Sequence, residues 1–142
     1  KATDKMQGQF TSGAASFSQK AAALALDTEL SETHKMKEVF QQRRDLILGL
    51  LKEIPGVKCN TPDGAFYVFP DVSSYYGKKT EDGTTIENGD QLCEYILEKA
   101  YVALVAGSAF GADECIRISY AASDKDIIES CRRLKEVLEK LK

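Results

Sequence analysis

The sequence predicts an α/β fold in which helices pack on a small mixed or antiparallel sheet. Three observations carry that reading. From residue 32 the patterns run helix, strand, strand, helix, strand, strand, helix, the order of a layered α/β domain. Residues Cys115 to Tyr120 alternate, with Ile116, Ile118 and Tyr120 on one side and Cys115, Arg117 and Ser119 on the other, because neighbouring side chains of a strand point to opposite faces. The last segment carries an apolar stripe, Ile127, Ile128, Cys131, Leu134, Leu138 and Leu141, at helical intervals.

At the start, Lys1 to Gly13 is polar and lacks periodicity, and Thr11, Ser12 and Gly13 can supply a cap or turn. Ala14 to Leu26 is rich in alanine, the best helix former. It reads as a largely buried helix that lies against another domain or a second subunit, or else serves as a core helix of its own domain. Ser31 opens a long helix from Glu32 to about Ile54, with Met36, Val39, Phe40, Ile47, Leu50, Leu51 and Ile54 on its apolar side and Pro55-Gly56 ending it. At 1.5 Å per residue it spans roughly 35 Å, enough to link two domains. His34, the single histidine, sits in its first turn among polar neighbours and reads as solvated rather than as a general base.

Val57–Asn60 and Ala65–Phe69 are expected to be short strands joined by a type I turn at Thr61-Pro62-Asp63-Gly64. Ser73 to Gly89 is expected to be a solvent-exposed excursion, a mobile insertion rather than a lid. A helix over Asp90–Ala100 leads into a strand beginning at Tyr101, then a glycine loop, Gly107 to Gly111. Ser123-Asp124-Lys125-Asp126 has capping-box spacing at the head of the terminal helix, where Glu129 and Arg133, and Glu136 and Lys140, lie four apart.

The 142 residues fit one ordinary domain with a real core. Apolar residues at 43 % and charged residues at 29 %, with a net charge of −3, describe a globular chain without the basic surplus of a general nucleic-acid binder. The longest nearly apolar run, Ala100 to Phe110, falls far short of the ~20 residues of a membrane helix. Cysteines at 59, 93, 115 and 131 form no CxxC pair and have no histidine at ligand spacing, so neither a metal site nor a redox dithiol is expected. The first residue, Lys1, is not methionine, and the chain is expected to be a piece of a longer polypeptide.

Candidate chemistry concentrates on Arg117, a guanidinium on the less apolar strand face beside a flexible glycine loop. It is a candidate carboxylate ligand, and the alternative is a solvated or salt-bridged surface arginine. Cys115 shares its face but has no base in sequence reach and reads as a packed thiol. The Gly107–Gly111 loop lacks the lysine of a phosphate loop and leads into a strand.

Three stretches, QGQFTSGAASFSQKAA at 7–22, TPDGAFYVFPDVSSYYGK at 61–78 and VALVAGSAFGADECIRISYAASDKDI at 102–127, together resemble the C-terminal part of a class I aminotransferase. These are pyridoxal-phosphate enzymes of the aspartate aminotransferase fold, and the chain is most similar to the bacterial and plant types, some of which also accept prephenate. The resemblance implies that residues 1–31 are a remnant of the large cofactor domain with an interface helix. It makes 32–56 the interdomain connecting helix and 57–142 the small C-terminal domain. It implies that Arg117 binds the substrate α-carboxylate and that Phe66 lies on the wall of the substrate cleft. Thr11 and Ser12 would sit near a homodimer interface, close to the cofactor phosphate of the partner subunit. The substrates implied are amino acids and 2-oxo acids, aspartate and 2-oxoglutarate first, in a cytoplasmic or organellar enzyme without membrane or nucleic-acid partners and without a metal.

Two departures qualify it. The family commonly has proline where this chain has Ala106, though the following glycine remains. The lysine that forms the family's Schiff base is followed by a tryptophan-arginine segment, and this chain has no tryptophan. The chain alone is therefore expected to be inactive. A stand-alone amino-acid-binding or regulatory module, and a structural dimerisation piece, are the competing readings.

Overall fold

In the computed structural model, which describes all residues 1–142, the chain divides into two units, Lys1–Lys35 and Met36–Lys142. The first unit is helical and has no buried residue. It holds α1 (Ala2–Phe10), α2 (Ser16–Asp27) and the first turn of α3 (Ser31–Lys52). Helix α1 corrects the expectation of an irregular start. Its residues bury nothing, so no apolar period was available to read. Helix α2 forms as its alanines predict, but it is not buried in this chain: Phe17, Leu24 and Leu26 are 76 %, 68 % and 86 % exposed.

The second unit holds the core. Its elements are the rest of α3, β1 (Tyr67–Val68), α4 (Gly89–Ala100), β2 (Val105–Ala106), β3 (Ile116–Ser119) and α5 (Asp124–Leu138). The sheet order is β1-β3-β2 and both pairings are antiparallel, so the sheet is antiparallel rather than mixed. One sheet face is closed by helices. Val68, Ile116, Ile118 and Tyr120 meet Ile47 and Leu51 of α3, Leu92 and Ile96 of α4, and Leu134 and Leu138 of α5 in a single core. Burying one such aliphatic side chain stabilises the fold by about 1.5–3 kcal/mol.

The strands are shorter than the sequence suggested. Val57–Asn60 contributes a single bridge, Lys58 with Asp71, closed by bonds of 3.0 and 2.8 Å. No backbone hydrogen bond closes Thr61–Gly64 into a four-residue turn. That stretch is held instead by its partners: Arg44 Nη1 donates to the Pro62 carbonyl at 3.2 Å, and the Tyr120 hydroxyl to that of Ala65 at 2.9 Å. Ala65 sits at φ 66°. The strand expected from Tyr101 starts only at Val105, since Tyr101 itself caps α4 in a left-handed conformation.

Ser73 to Gly89 is not a loose excursion. Tyr75 and Ile86 enter the core at 3 % and 2 % exposure, and Lys79 exchanges backbone bonds of 2.7 and 3.0 Å with Lys142. Its polar composition concealed these two anchors. The cap of α5 forms as expected: the Ser123 hydroxyl accepts from the Asp126 amide at 3.2 Å and donates to its carboxylate at 2.6 Å. Replacing Ser123 by Ala is expected to cost about 1 kcal/mol in urea unfolding, and a loss under a few tenths would remove the cap from the stability argument. Glu129 pairs with Arg133 at 2.7 Å, whereas Glu136 is taken by Arg132 and Lys140 turns to Glu81 at 3.8 Å. No helix is long and apolar enough to cross a membrane.

Candidate functional site

The sheet has a second face, and Arg117 stands on it. Along β3 burial alternates as the sequence predicts, with Ile116 and Ile118 buried, Arg117 half-buried and Ser119 exposed. Register puts Val105 beside Arg117 on one flank and pairs Tyr67 with Ser119 on the other. Phe69 follows β1 directly, two residues beyond Tyr67. The guanidinium carbon lies 4.7 Å from the centre of the Phe110 ring and 5.6 Å from that of Tyr67. Phe110 in turn meets Phe69 edge-on, with centroids 6.0 Å apart and ring planes at 87°. Each cation–π contact contributes about 0.5–1 kcal/mol. Together they flank the guanidinium without occupying its donors.

Charge balance sets Arg117 apart. Arg43, Arg44, Arg132 and Arg133 each pair with a carboxylate, on Asp124, Asp45, Glu129 or Glu136. Arg117 has no carboxylate partner and no hydrogen bond within the protein. A surface arginine in water needs no partner, but one half-buried and held between rings keeps its N–H fork open in a place that favours an anion.

The loop that delivers Phe110 is built to hold still. Residues Gly107–Phe110 make a 3-10 turn, and Gly111 follows at φ 73°. Gly107 donates to the Cys115 carbonyl at 2.8 Å and accepts from the Ala112 amide at 3.1 Å. The Ser108 hydroxyl reaches the Asp90 carboxylate at 2.9 Å, tying the turn to α4. The Tyr76 hydroxyl donates to the Asp113 carbonyl at 2.6 Å. Burial, aided by nearby cysteines and acids, pushes that phenol up to about 12, so it remains a donor at neutral pH.

Phe66 joins the site at one remove. Its ring meets that of Tyr67 edge-on at 5.9 Å and is 54 % exposed, while its carbonyl accepts from the Tyr120 amide at 2.8 Å. Thr11 and Ser12 belong to the other unit. Thr11 caps α1 with its hydroxyl donating to the Gln7 carbonyl at 2.9 Å, and Ser12 follows in the left-handed region at φ 54°. Both are exposed. Cys115 lies on the Arg117 side, and burial raises its pKa, which disfavours a thiolate. His34 is exposed. Sequence reasoning named Arg117 and Phe66 but missed Tyr67 and Phe110 as its frame. The signal for Tyr67 was present in its alternation with Val68, whereas nothing local pointed Phe110 at Arg117.

Comparisons with known proteins match the chain as a whole. The aminotransferase class I and II family matches residues 1–134. The chain is 49 % identical over 146 residues to a bifunctional aspartate aminotransferase and glutamate/aspartate-prephenate aminotransferase of Petunia hybrida, covering 99 % of this chain and 30 % of that protein. It is 54 % identical over 125 residues to an aspartate aminotransferase of Pinus pinaster, covering 86 % and 25 %. The crystal structure of the Rhizobium meliloti aspartate aminotransferase superposes with a TM-score of 0.92 at 39 % identity, over 96 % of this chain and 34 % of that one. The chain thus spans about a third of the length of the relatives it matches. With the fold and sequence in agreement over nearly its whole length, the chain belongs to the aminotransferase class I and II family.

Proposed function

We propose that this chain is the C-terminal portion of a pyridoxal-phosphate-dependent aminotransferase that moves an amino group between aspartate and 2-oxoglutarate, and that Arg117 binds the substrate's α-carboxylate. The observation that carries the reading is the unpaired, ring-framed guanidinium of Arg117. A planar fork of this kind meets a carboxylate with two parallel charge-assisted hydrogen bonds. The named relatives, aspartate and aspartate/prephenate aminotransferases, support a substrate that carries such a group. In this reading α3 connects two domains, Phe66 lines the cleft beside Tyr67, and Thr11 and Ser12 lie near the cofactor phosphate of a partner subunit in a homodimer.

The residues present do not by themselves form a site for the cofactor. A lysine that condenses with an aldehyde is activated by desolvation or by a neighbouring cation, and no lysine of this chain is buried. Thr11 commits its proton to Gln7. When bound, the cofactor supplies the electron sink for amino-group transfer. What this chain supplies is orientation of the carboxylate and a packed domain behind it. The test is an aspartate–2-oxoglutarate assay with added pyridoxal phosphate on the full-length polypeptide and on the 142-residue chain. Turnover by the first and none by the second is the expected result. Turnover by the chain alone, or none by the full-length protein, would overturn the assignment. Aspartate binding without turnover by the full-length protein would favour a binding module.

A further inference from the structure

We infer that Phe110 is a positioning residue for the carboxylate site: its ring orders the Arg117 guanidinium before a ligand arrives, and so sets how tightly a carboxylate is held. The inference rests on the reading of Arg117 as the ligand of the substrate's α-carboxylate. An arginine side chain is long and loses much rotamer freedom when it is pinned. Arg43, Arg44, Arg132 and Arg133 are pinned by carboxylates. Arg117 has no such partner, so the contacts that order its charged end are with rings. They are not equal. The centre of the Phe110 ring lies 4.7 Å from the guanidinium carbon, against 5.6 Å for Tyr67, and attraction between a cation and a ring face weakens with distance.

Phe110 does little for the core. Its side chain is 52 % exposed, and it belongs neither to the buried cluster nor to the partly buried residues packed against it. An exposed phenylalanine is ordinary by itself; what marks this one is how firmly its backbone is held. Within its turn the Gly107 amide donates to the Cys115 carbonyl, and the Gly111 amide to the Ser108 carbonyl at 3.1 Å. The Ser108 hydroxyl donates to Asp90 in the first turn of α4. Phe69 then braces the ring edge-on. A rigid turn thus delivers a half-exposed ring to the guanidinium and to nothing else of consequence. The ring contact exists before and after a ligand binds, so its own attraction cancels from the affinity. What survives is the order it imposes, because a side chain already ordered has less freedom to lose on binding. Removing the ring face should therefore weaken carboxylate binding by roughly two- to tenfold, the cost of ordering one such side chain. Amino-acid and 2-oxo-acid substrates present the same carboxylate, so both should weaken by the same factor.

The test is steady-state kinetics of the full-length polypeptide with added pyridoxal phosphate, for Phe110→Leu, Phe110→Tyr, Arg117→Ala and the double variant Phe110→Leu with Arg117→Ala. Leucine keeps apolar bulk against Phe69 and has no ring face; tyrosine keeps the face. Phe110→Leu is expected to raise KM for aspartate and for 2-oxoglutarate together, by roughly two- to tenfold, at unchanged kcat and with a melting temperature near that of the parent. Phe110→Tyr should restore the parent values. In the Arg117→Ala background Phe110→Leu should add nothing, because a residue that acts only through Arg117 then has nothing left to place. A parent-like KM for Phe110→Leu beside a large loss for Arg117→Ala overturns the inference and leaves the role of Arg117 standing. An equal effect of Phe110→Leu with and without Arg117 also overturns it, since the ring would then act on the substrate directly. So does a loss that tyrosine fails to rescue and that follows the melting temperature, which would assign Phe110 to the fold. Normal kinetics for Arg117→Ala, by contrast, overturns the reading of Arg117 itself and this inference with it.

Discussion

Arg117→Ala in the full-length polypeptide is expected to lower kcat/KM for aspartate by roughly 10²–10⁴, from the loss of two charge-assisted hydrogen bonds of about 1.5–3 kcal/mol each. The loss should fall mainly on KM, because the carboxylate is held in the bound substrate as well as in the transition state. Stability should fall only by about 1–2 kcal/mol. The side chain is half-buried, has no ion-pair partner and leaves no carboxylate stranded, so only the contacts with Tyr67 and Phe110 are forfeited, at about 0.5–1 kcal/mol each. Arg117→Lys keeps a charge but not a planar fork, and it should recover only part of the lost affinity. Unchanged kinetics for the alanine variant would remove Arg117 from the substrate site. An equal collapse of melting temperature and activity would make it a structural residue instead.

Gly107→Ala is expected to destabilise the fold by about 3 kcal/mol, the upper end for overpacking. A Cβ there would stand 2.1 Å from the Ala112 carbonyl oxygen and 2.4 Å from that of Cys115. Both oxygens belong to backbone, and neither can retreat cheaply, because Ala112 and Cys115 are bonded to Gly107 itself. At about 2–4 °C per kcal/mol for a chain of this size, the melting temperature should fall by roughly 6–12 °C. Gly111→Ala is the contrast. Its Cβ meets open space, and the cost is confined to the left-handed φ of 73°, about 1 kcal/mol. A thermal melt that ranks the two variants the other way would contradict the packing of this turn. Because the turn carries Phe110, the Gly107 variant should also loosen the guanidinium of Arg117.

What the sequence disclosed was what repeats along it. Ile116, Ile118 and Tyr120 betrayed β3 because a strand with one buried face must alternate. Ile127, Cys131, Leu134 and Leu138 did the same for α5 at the helical period. Helix α1 escaped because it buries nothing. The extents of β1 and β2 escaped because a strand lasts only as long as its partner stays in register, and β3 pairs just two residues on each side. Ser73 to Gly89 looked loose because two apolar anchors, Tyr75 and Ile86, are diluted among polar neighbours. At the candidate site, the half-buried place of Arg117 on the outer strand face was legible from its strand alone. Its ring frame was not, since Tyr67 comes from a distant strand and Phe110 from a turn whose direction depends on Gly107 and Gly111.

The strand order has a consequence for how this domain is made. The central strand, β3, is the last of the three to be synthesised, and both edge strands are only two residues long. Until Ile116–Ser119 leaves the ribosome, neither Tyr67–Val68 nor Val105–Ala106 has a neighbour to pair with. The helices α3 and α4 must wait with Ile47, Leu51, Leu92 and Ile96 uncovered, because β3 and α5, which help to bury them, are the last of these elements to be synthesised. Such late, long-range closure slows folding and prolongs exposure of apolar surface. Closure of this domain should therefore follow in one cooperative step once α5 has been synthesised.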